Sequence, residues 1–338
     1  MTPTLIATAN DHFANMALAE LKAVDGQVVA QLAPGIWAVH LPQDFFTLAE
    51  RWRAAPPVFV RHICPVQTII PLADGIEKVL ETAVTTFTHL LEPDWPFSVQ
   101  TRVLDKLPFK PYDINKPLSD QLAAASGVPL DVRAPFQILS VVLAGDEAYL
   151  GLSLAVNNLS DWAGGVRRFA REPEQISRAE FKLLEALESF KIELPSRGRA
   201  LDLGAAPGGW TRVLRQKEQY VTAVDPAWLH PTLQTDKGVR HLRLTAEDYL
   251  ERYPDSYDVI VNDMRLDARD SARLMVAYGR YLYPHGLAII TLKLPEKKYH
   301  AALDHALNIL RRSYTIAGAR QLFHNRSEVT VYLKPKDG

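Results

Sequence analysis

The sequence predicts an α/β protein: a mostly parallel sheet, covered by helices on both faces, fills the C-terminal half behind a smaller α+β region. Three observations carry this. Short continuous apolar runs alternate with helically spaced segments from about residue 175 onward. The first of those runs, Ala200-Leu-Asp-Leu, passes straight into a turn of small residues. Between Asn157 and Glu174 the periodicity stops, and Gly164-Gly165 with Arg167, Arg168 and Arg171 reads as a basic linker.

From the N-terminus, Leu5-Ile-Ala-Thr reads as a strand and Phe13 to Leu21 as a helix. Gly26 to Leu41 reads as two strands about the turn Ala33-Pro34-Gly35. Pro56-Pro57 breaks a helix ending near Arg53, and Val58 to Cys64 resumes as strand. A second unit begins near Asp74: a helix from Gly75 to Leu91, a strand Phe97–Val103, and a helix Pro117–Ala125 follow. Gln137–Leu143 and Ala148–Leu154 then form a hairpin about Gly145-Asp146. The expected division is a small α+β domain over 1–72, a second α+β module over 73–160, the linker over 161–176 and the α/β domain over 177–338. In the last, strands are expected at Ala200–Leu203, Tyr220–Val224, His241–Leu244, Asp258–Val261, Leu287–Leu292 and Val329–Leu333.

Composition narrows the function classes. The 338 residues are 47% hydrophobic and 23% charged, ordinary values for a globular chain. No apolar run reaches the roughly eighteen residues that a membrane span needs, and the start carries no basic leader, so the cytoplasm is the expected compartment. Cys64 is the only cysteine, which removes an intrachain disulfide and any multi-thiolate zinc site. His241, His285 and His305 lack ligand spacing, so no metal is expected. Charge is unevenly placed: residues 1–160 hold 10 basic and 16 acidic side chains (net −6), and the remainder 28 and 23 (net +5). The basic half suits a polyanionic partner.

The turn Gly204-Ala-Ala-Pro-Gly-Gly-Trp-Thr holds the most information. Gly204 and Gly208 permit close backbone approach, and a helix beginning near Gly208 offers unpaired amides. The spacing is neither a dinucleotide phosphate loop nor a triphosphatase loop, and Asp202 would repel an anion while favouring an ammonium or sulfonium. Asp225 ends the next strand, where a ribose is held in doubly wound sheets, Asp248 follows one strand later, and Asp263 follows the fourth. Four carboxylates at successive strand ends point to a cationic nucleoside, and S-adenosylmethionine fits.

Asp202-Leu-Gly-Ala-Ala-Pro-Gly-Gly-Trp-Thr resembles motif I of the RrmJ/FtsJ-type ribose 2′-O-methyltransferases. Ser177-Arg-Ala-Glu-Phe-Lys-Leu-Leu-Glu, Thr291-Leu-Lys-Leu-Pro-Glu-Lys-Lys and Arg320-Gln-Leu-Phe-His-Asn-Arg-Ser-Glu-Val-Thr-Val are similar to the RlmM-type ribosomal RNA members. Likeness is specific over 157–335 and weaker before, where Phe59-Val-Arg-His-Ile-Cys-Pro-Val and Tyr149-Leu-Gly-Leu-Ser carry it. The resemblance implies a seven-stranded, Rossmann-like class I methyltransferase domain and a THUMP-like RNA-binding domain over 73–160. It also implies S-adenosylmethionine as cofactor and 23S ribosomal RNA as partner and substrate.

The resemblance further implies a catalytic set of Lys182, Asp263, Lys293 and Glu328, and a cofactor site of Asp202, Gly204, Ala205, Pro207, Gly208, Gly209, Trp210, Asp225, Asp248 and Asp263. Arg167, Arg168, Arg171, Arg178, Lys297 and Lys298 are candidates for phosphate contacts. From physics alone, Lys293 ends an apolar strand; burial and a second cation lower an ammonium's pKa from about 10.4, while Asp263 and Glu328 oppose that. A methylated transfer RNA or base, and a non-catalytic RNA-binding assembly factor, stand as alternatives. Cysteine-dependent methylation of a pyrimidine carbon finds no thiol in the α/β half, and Asn262-Asp-Met-Arg lacks the proline and aromatic residue of loops that methylate exocyclic amines.

Overall fold

A computed structural model describes residues 1–252 and 254–336, and its chain divides into two compact units, residues 1–166 and 167–338.

The first unit holds two sheets. Strands β1 (Leu5–Thr8), β2 (Gln27–Ala33), β3 (Ile36–His40) and β4 (His62–Pro65) form an antiparallel sheet in the order β2-β3-β1-β4, accompanied by helices α1 (Ala14–Lys22) and α2 (Phe45–Ala54). Gly35, at φ +72°, turns β2 into β3 where a Cβ would lie 2.5 Å from the Ala9 carbonyl oxygen. The second sheet contains β5 (Thr68–Pro71), β6 (Phe97–Val103), β7 (Gln137–Ala144) and β8 (Glu147–Leu154), in the order β5-β8-β7-β6. Helices α3 (Ile76–Phe87) and α4 (Pro111–Ser126) cover one of its faces, burying Val79, Phe87, Ile114 and Leu118 against Phe97, Leu139 and Val141. The other face shares a cluster with the first sheet, where Ile6, Ala38 and Cys64 meet Val142, Ala144 and Tyr149. The boundary expected near residue 72 therefore falls within one unit.

The second unit is built on a seven-stranded sheet. Its elements in chain order are α5 (Glu180–Ser189), β9 (Arg199–Leu203), α6 (Gly209–Gln216), β10 (Tyr220–Val224), α7 (Pro231–Gln234), β11 (Val239–Leu242), α8 (Ala246–Glu251), β12 (Tyr257–Asn262), α9 (Ala268–Tyr278), β13 (Leu282–Lys293), α10 (Tyr299–Leu310), β14 (Tyr314–Arg320) and β15 (Glu328–Pro335). The order is β11-β10-β9-β12-β13-β15-β14; the first five strands run parallel, and β15 is antiparallel to both neighbours. This is the Rossmann-like arrangement expected. Leu183 and Ala186 of α5 and Val213 and Leu214 of α6 pack on Ala200, Val221, Val259 and Ile289, a face apolar enough to explain the unbroken hydrophobic runs. Three strands differ from expectation, β11 beginning at Val239 and not at His241. The fifth parallel strand starts at Leu282, before its apolar run, and β14 was not anticipated.

Candidate active site at the carboxyl edge of the sheet

From β9 the chain steps outward to β10 and β11, then returns to β12 on the opposite side of β9. That reversal opens a crevice beyond the carboxyl ends of β9 and β12, the place where doubly wound sheets take ligands. Gly204 leaves β9 there at φ +73°, and Met264 follows β12; a Cβ on Gly204 would stand 2.3 Å from the Met264 Cγ.

The small-residue turn is laced to the next strand. Gly204 and Ala205 amides donate to the Val224 carbonyl at 2.9 and 3.3 Å. Asp225 accepts from the Ala206 amide at 3.1 Å and the Ala227 amide at 2.8 Å, joining the two loops that border the crevice. Gly208, at φ +115°, would set a Cβ 2.2 Å from Leu233, and Gly209 would set one 2.3 Å from the Ser177 hydroxyl. The backbone at Gly208 favours glycine, and at both positions a larger residue would displace the neighbouring side chain. Ala205 is buried and Pro207 exposed. Trp210 is buried in the core, its indole N–H donating to the Ala179 carbonyl at 2.8 Å.

Asp202 is 2% exposed, and its carboxylate accepts from the Thr211 hydroxyl at 2.6 Å beneath the turn. Burial pushes its pKa up to about 7; the Thr211 bond opposes this, and the negative charges of Asp263 and Asp225 add to it. Asp248 lies exposed in the first turn of α8, where Thr245 caps the helix by accepting its amide at 3.0 Å.

Across the crevice the four residues of the expected catalytic set come together. Antiparallel pairing sets Lys293, the last residue of β13, opposite Glu328, the first of β15, so both stand at the carboxyl edge. Asp263 follows β12, and Lys182 reaches in from α5. Lys293 Nζ lies 2.5 Å from Asp263 Oδ1 and 3.8 Å from Glu328 Oε1. Lys182 Nζ lies 3.3 Å from both Asp263 oxygens and is ion-paired with Glu328.

The two ammoniums differ. Burial lowers Lys293, Asp263 opposes, and the neighbouring Lys182 lowers it further, leaving it below an ordinary lysine. For Lys182 the same burial is outweighed by Asp263 and Glu328, and its pKa is raised. Burial would raise Asp263, but Lys293 and Lys182 overcome it and hold the carboxyl below its usual range.

Two contributors escaped the sequence reading. Thr291 donates to Asp263 at 2.5 Å and accepts from Lys293 at 2.7 Å, closing the triangle. It sits two residues before Lys293 on the same strand, so the two-residue side-chain period already placed it on that face. Glu185, three residues beyond Lys182, accepts the Phe323 and His324 amides at 2.7 and 2.8 Å and ties the approach to β15 onto α5.

Among the described residues, none of the basic candidates forms an ion pair with this cluster. Arg167 pairs with Glu188 at 2.6 Å and covers the Phe169 ring at 4.0 Å. Arg168, Arg171, Arg178, Lys297 and Lys298 are exposed and form no ion pair among the described residues. Also among the described residues, no group of three or more histidine, cysteine, aspartate or glutamate side chains is placed to hold a metal, and no helix is long and apolar enough to cross a membrane.

Residues 175–279 match the FtsJ-like methyltransferase family. The ribosomal RNA large subunit methyltransferase M of Marinobacter nauticus is 31% identical over 326 residues, 88% of this chain and 87% of that protein. The chain belongs to this family. The Halorhodospira halophila member is 38% identical over 176 residues, and the match spans 51% of each chain. That of Pseudomonas syringae pv. tomato is 32% identical over 233 residues, 65% of this chain and 64% of the relative. The matched part is thus about half the length of the former and just under two thirds of the latter. S-adenosylmethionine is the cofactor of the FtsJ-like methyltransferase family, and the donor set here suits it: the Asp225 and Asp263 carboxylates follow strands β10 and β12 at the carboxyl edge, and a helix amino end adjoins the turn.

Proposed function

We propose that this protein methylates a ribose 2′-hydroxyl of large-subunit ribosomal RNA, with Lys293 accepting the hydroxyl proton. The observation that carries this reading is the facing pair Lys293 and Glu328, joined through Asp263 to Lys182.

A ribose hydroxyl is a poor nucleophile, so transfer requires in-line placement and a base. The cofactor, when bound, supplies an electrophilic methyl on a sulfonium. Lys293, lowered by burial and by Lys182, has the larger neutral fraction of the two lysines and takes the hydroxyl proton on Nζ, while the bound cofactor would supply the methyl group to the oxygen so freed. Lys182 stays charged and, with Asp263 and Thr291, fixes the position of the Lys293 amine. Glu328 positions both lysines. Asp225 and Asp248 are assigned to the cofactor's ribose and adenine, and Asp202 with Thr211 supports the turn between them. Arg168, Arg171, Arg178, Lys297 and Lys298 are assigned to RNA phosphates, and the N-terminal unit, with its second sheet (β5 to β8) read as THUMP-like, to the grip on the substrate.

Incubation with labelled methyl donor, large-subunit RNA and transfer RNA, followed by nuclease digestion, tests the reading. A 2′-O-methylnucleoside from the large-subunit RNA is expected. Label in a base, or in transfer RNA alone, would overturn the assignment.

A further inference from the structure

One end of the second sheet in the N-terminal unit leaves several large apolar side chains substantially exposed. Trp95, Leu130, Val132, Phe136 and Val156 are each between 41% and 70% exposed. Single exposed apolar residues are ordinary, but these five belong to three segments laced together where β6 and β7 begin and β8 ends. Phe97 donates to the Pro129 carbonyl and accepts from the Asp131 amide, both at 2.9 Å. The Phe136 amide donates to Pro96 at 2.8 Å, and the Ala155 amide to Phe136 at 2.9 Å. The Trp95 and Phe136 ring centroids stand 5.7 Å apart. Buried Gln137 locks the rim, accepting from the Glu92 amide at 2.9 Å and donating to the Trp95 carbonyl at 2.7 Å. Exposed apolar side chains gathered on segments tied together in this way mark an interaction surface.

Its charge selects the occupant. Glu92 and Asp94 precede Trp95 in the chain, and Asp131 lies between Leu130 and Val132, against a single cation, Arg133. RNA phosphates would be repelled at this end, so the grip on RNA assigned to this unit falls to its other surfaces. A second copy docked patch to patch would bring the two acidic rims together. A cationic polypeptide meets both the charge and the rings.

We propose that this end of the sheet is a docking surface for a basic polypeptide, the carboxylates taking its lysine or arginine side chains and the Trp95–Phe136 pair an apolar anchor. This deepens the ribosomal reading, on which the choice of probe rests. The full chain carrying photoreactive benzoylphenylalanine at Val132 is irradiated with salt-released proteins of the large ribosomal subunit, with protein-free large-subunit RNA, and alone. A cross-link to an identified basic protein is expected. It should weaken with rising salt and fall about tenfold in Phe136→Ser, the loss typical of truncating a central interface aromatic. Glu92→Gln with Asp94→Asn, which leaves the rings untouched, should weaken it in the same direction. Cross-linking to RNA, to a second copy, or to nothing overturns the proposal. Methyl transfer to the protein-free RNA is measured in parallel: its absence sinks the proposed function, whereas its presence without a protein cross-link sinks the docking surface alone.

Discussion

Asp202, near the end of β9, and Asp263, just after β12, belong to adjacent parallel strands of one sheet, both are largely buried, and their carboxyls are driven in opposite directions. Asp202 has a hydroxyl for a partner and is pushed up to about 7; Asp263 has two ammoniums and is held low. Desolvation acts on each in the same sense, so the counter-charge decides. One region of the crevice is therefore a neutral-leaning support for a turn, and the other is a charged cluster whose net balance is set by who pairs with whom.

That contrast is broken most severely at Lys293. Lys293→Ala should cut methyl transfer about a thousandfold, the size of a general-base contribution, while cofactor affinity stays within a few-fold. In the parent protein the rate should rise with pH as Lys293 loses its proton, with a midpoint below that of an ordinary lysine because its pKa is lowered. Single-turnover assays across pH, with equilibrium binding of S-adenosylhomocysteine, read both. Normal turnover by the bound variant would remove Lys293 from the chemistry.

Glu328→Ala tests the same cluster as architecture. It leaves Lys182 facing Lys293 with Asp263 alone between them, and breaking a buried pair costs about 3 kcal/mol. A lowered denaturation midpoint should accompany lost activity. An unchanged midpoint would mean that Glu328 does not anchor the lysines.

How much of this was legible follows from distance along the chain. The turn from Gly204 to Gly209 was readable because strand, turn and helix are contiguous, although its glycines answer to Met264, Leu233 and Ser177 as well as to any ligand. The meeting of Lys182 with Glu328 was not derivable from spacing. It needs β15 to run antiparallel beside β13, and no local signal fixes that register. The strand β14 escaped because Gly318 interrupts its pattern at a register shift, where a Cβ would stand 2.7 Å from the Phe190 ring. The helix expected from Pro117 begins at Pro111 instead. Asp113 accepting the Lys110 amide at 2.8 Å is the start signal, and Pro117 is carried inside.

On the other side of the crevice a smaller effect is expected. Asp225→Ala removes the acceptor for the Ala206 and Ala227 amides and the carboxylate assigned to the cofactor's ribose. Affinity for S-adenosylhomocysteine should fall by about 1–3 kcal/mol, the cost of removing a charged hydrogen-bond partner. Calorimetry on the folded variant measures it. Undiminished binding would move the ribose elsewhere.

The gentlest change is at Asp202. Its folded pKa, about 7, lies above the 3.8 of an ordinary carboxyl, so the native state holds a proton that the unfolded chain gives up. This contributes stability that is fully present below pH 3.8 and is lost as pH rises through about 7. Asp202→Asn keeps the length and an oxygen to accept from Thr211 but cannot ionise. The variant should lose that part of the decline in stability between those pH values, and above pH 7 it should be at least as stable as the parent. Asp263→Asn, in contrast, removes the charge that two lysines share, and should destabilise most where the carboxylate is ionised. Denaturant titrations of both variants across that range compare the two carboxylates directly. Should Asp202→Asn be uniformly destabilising at every pH, the Asp202 carboxylate carries a charge that a cation, not a hydroxyl, is satisfying.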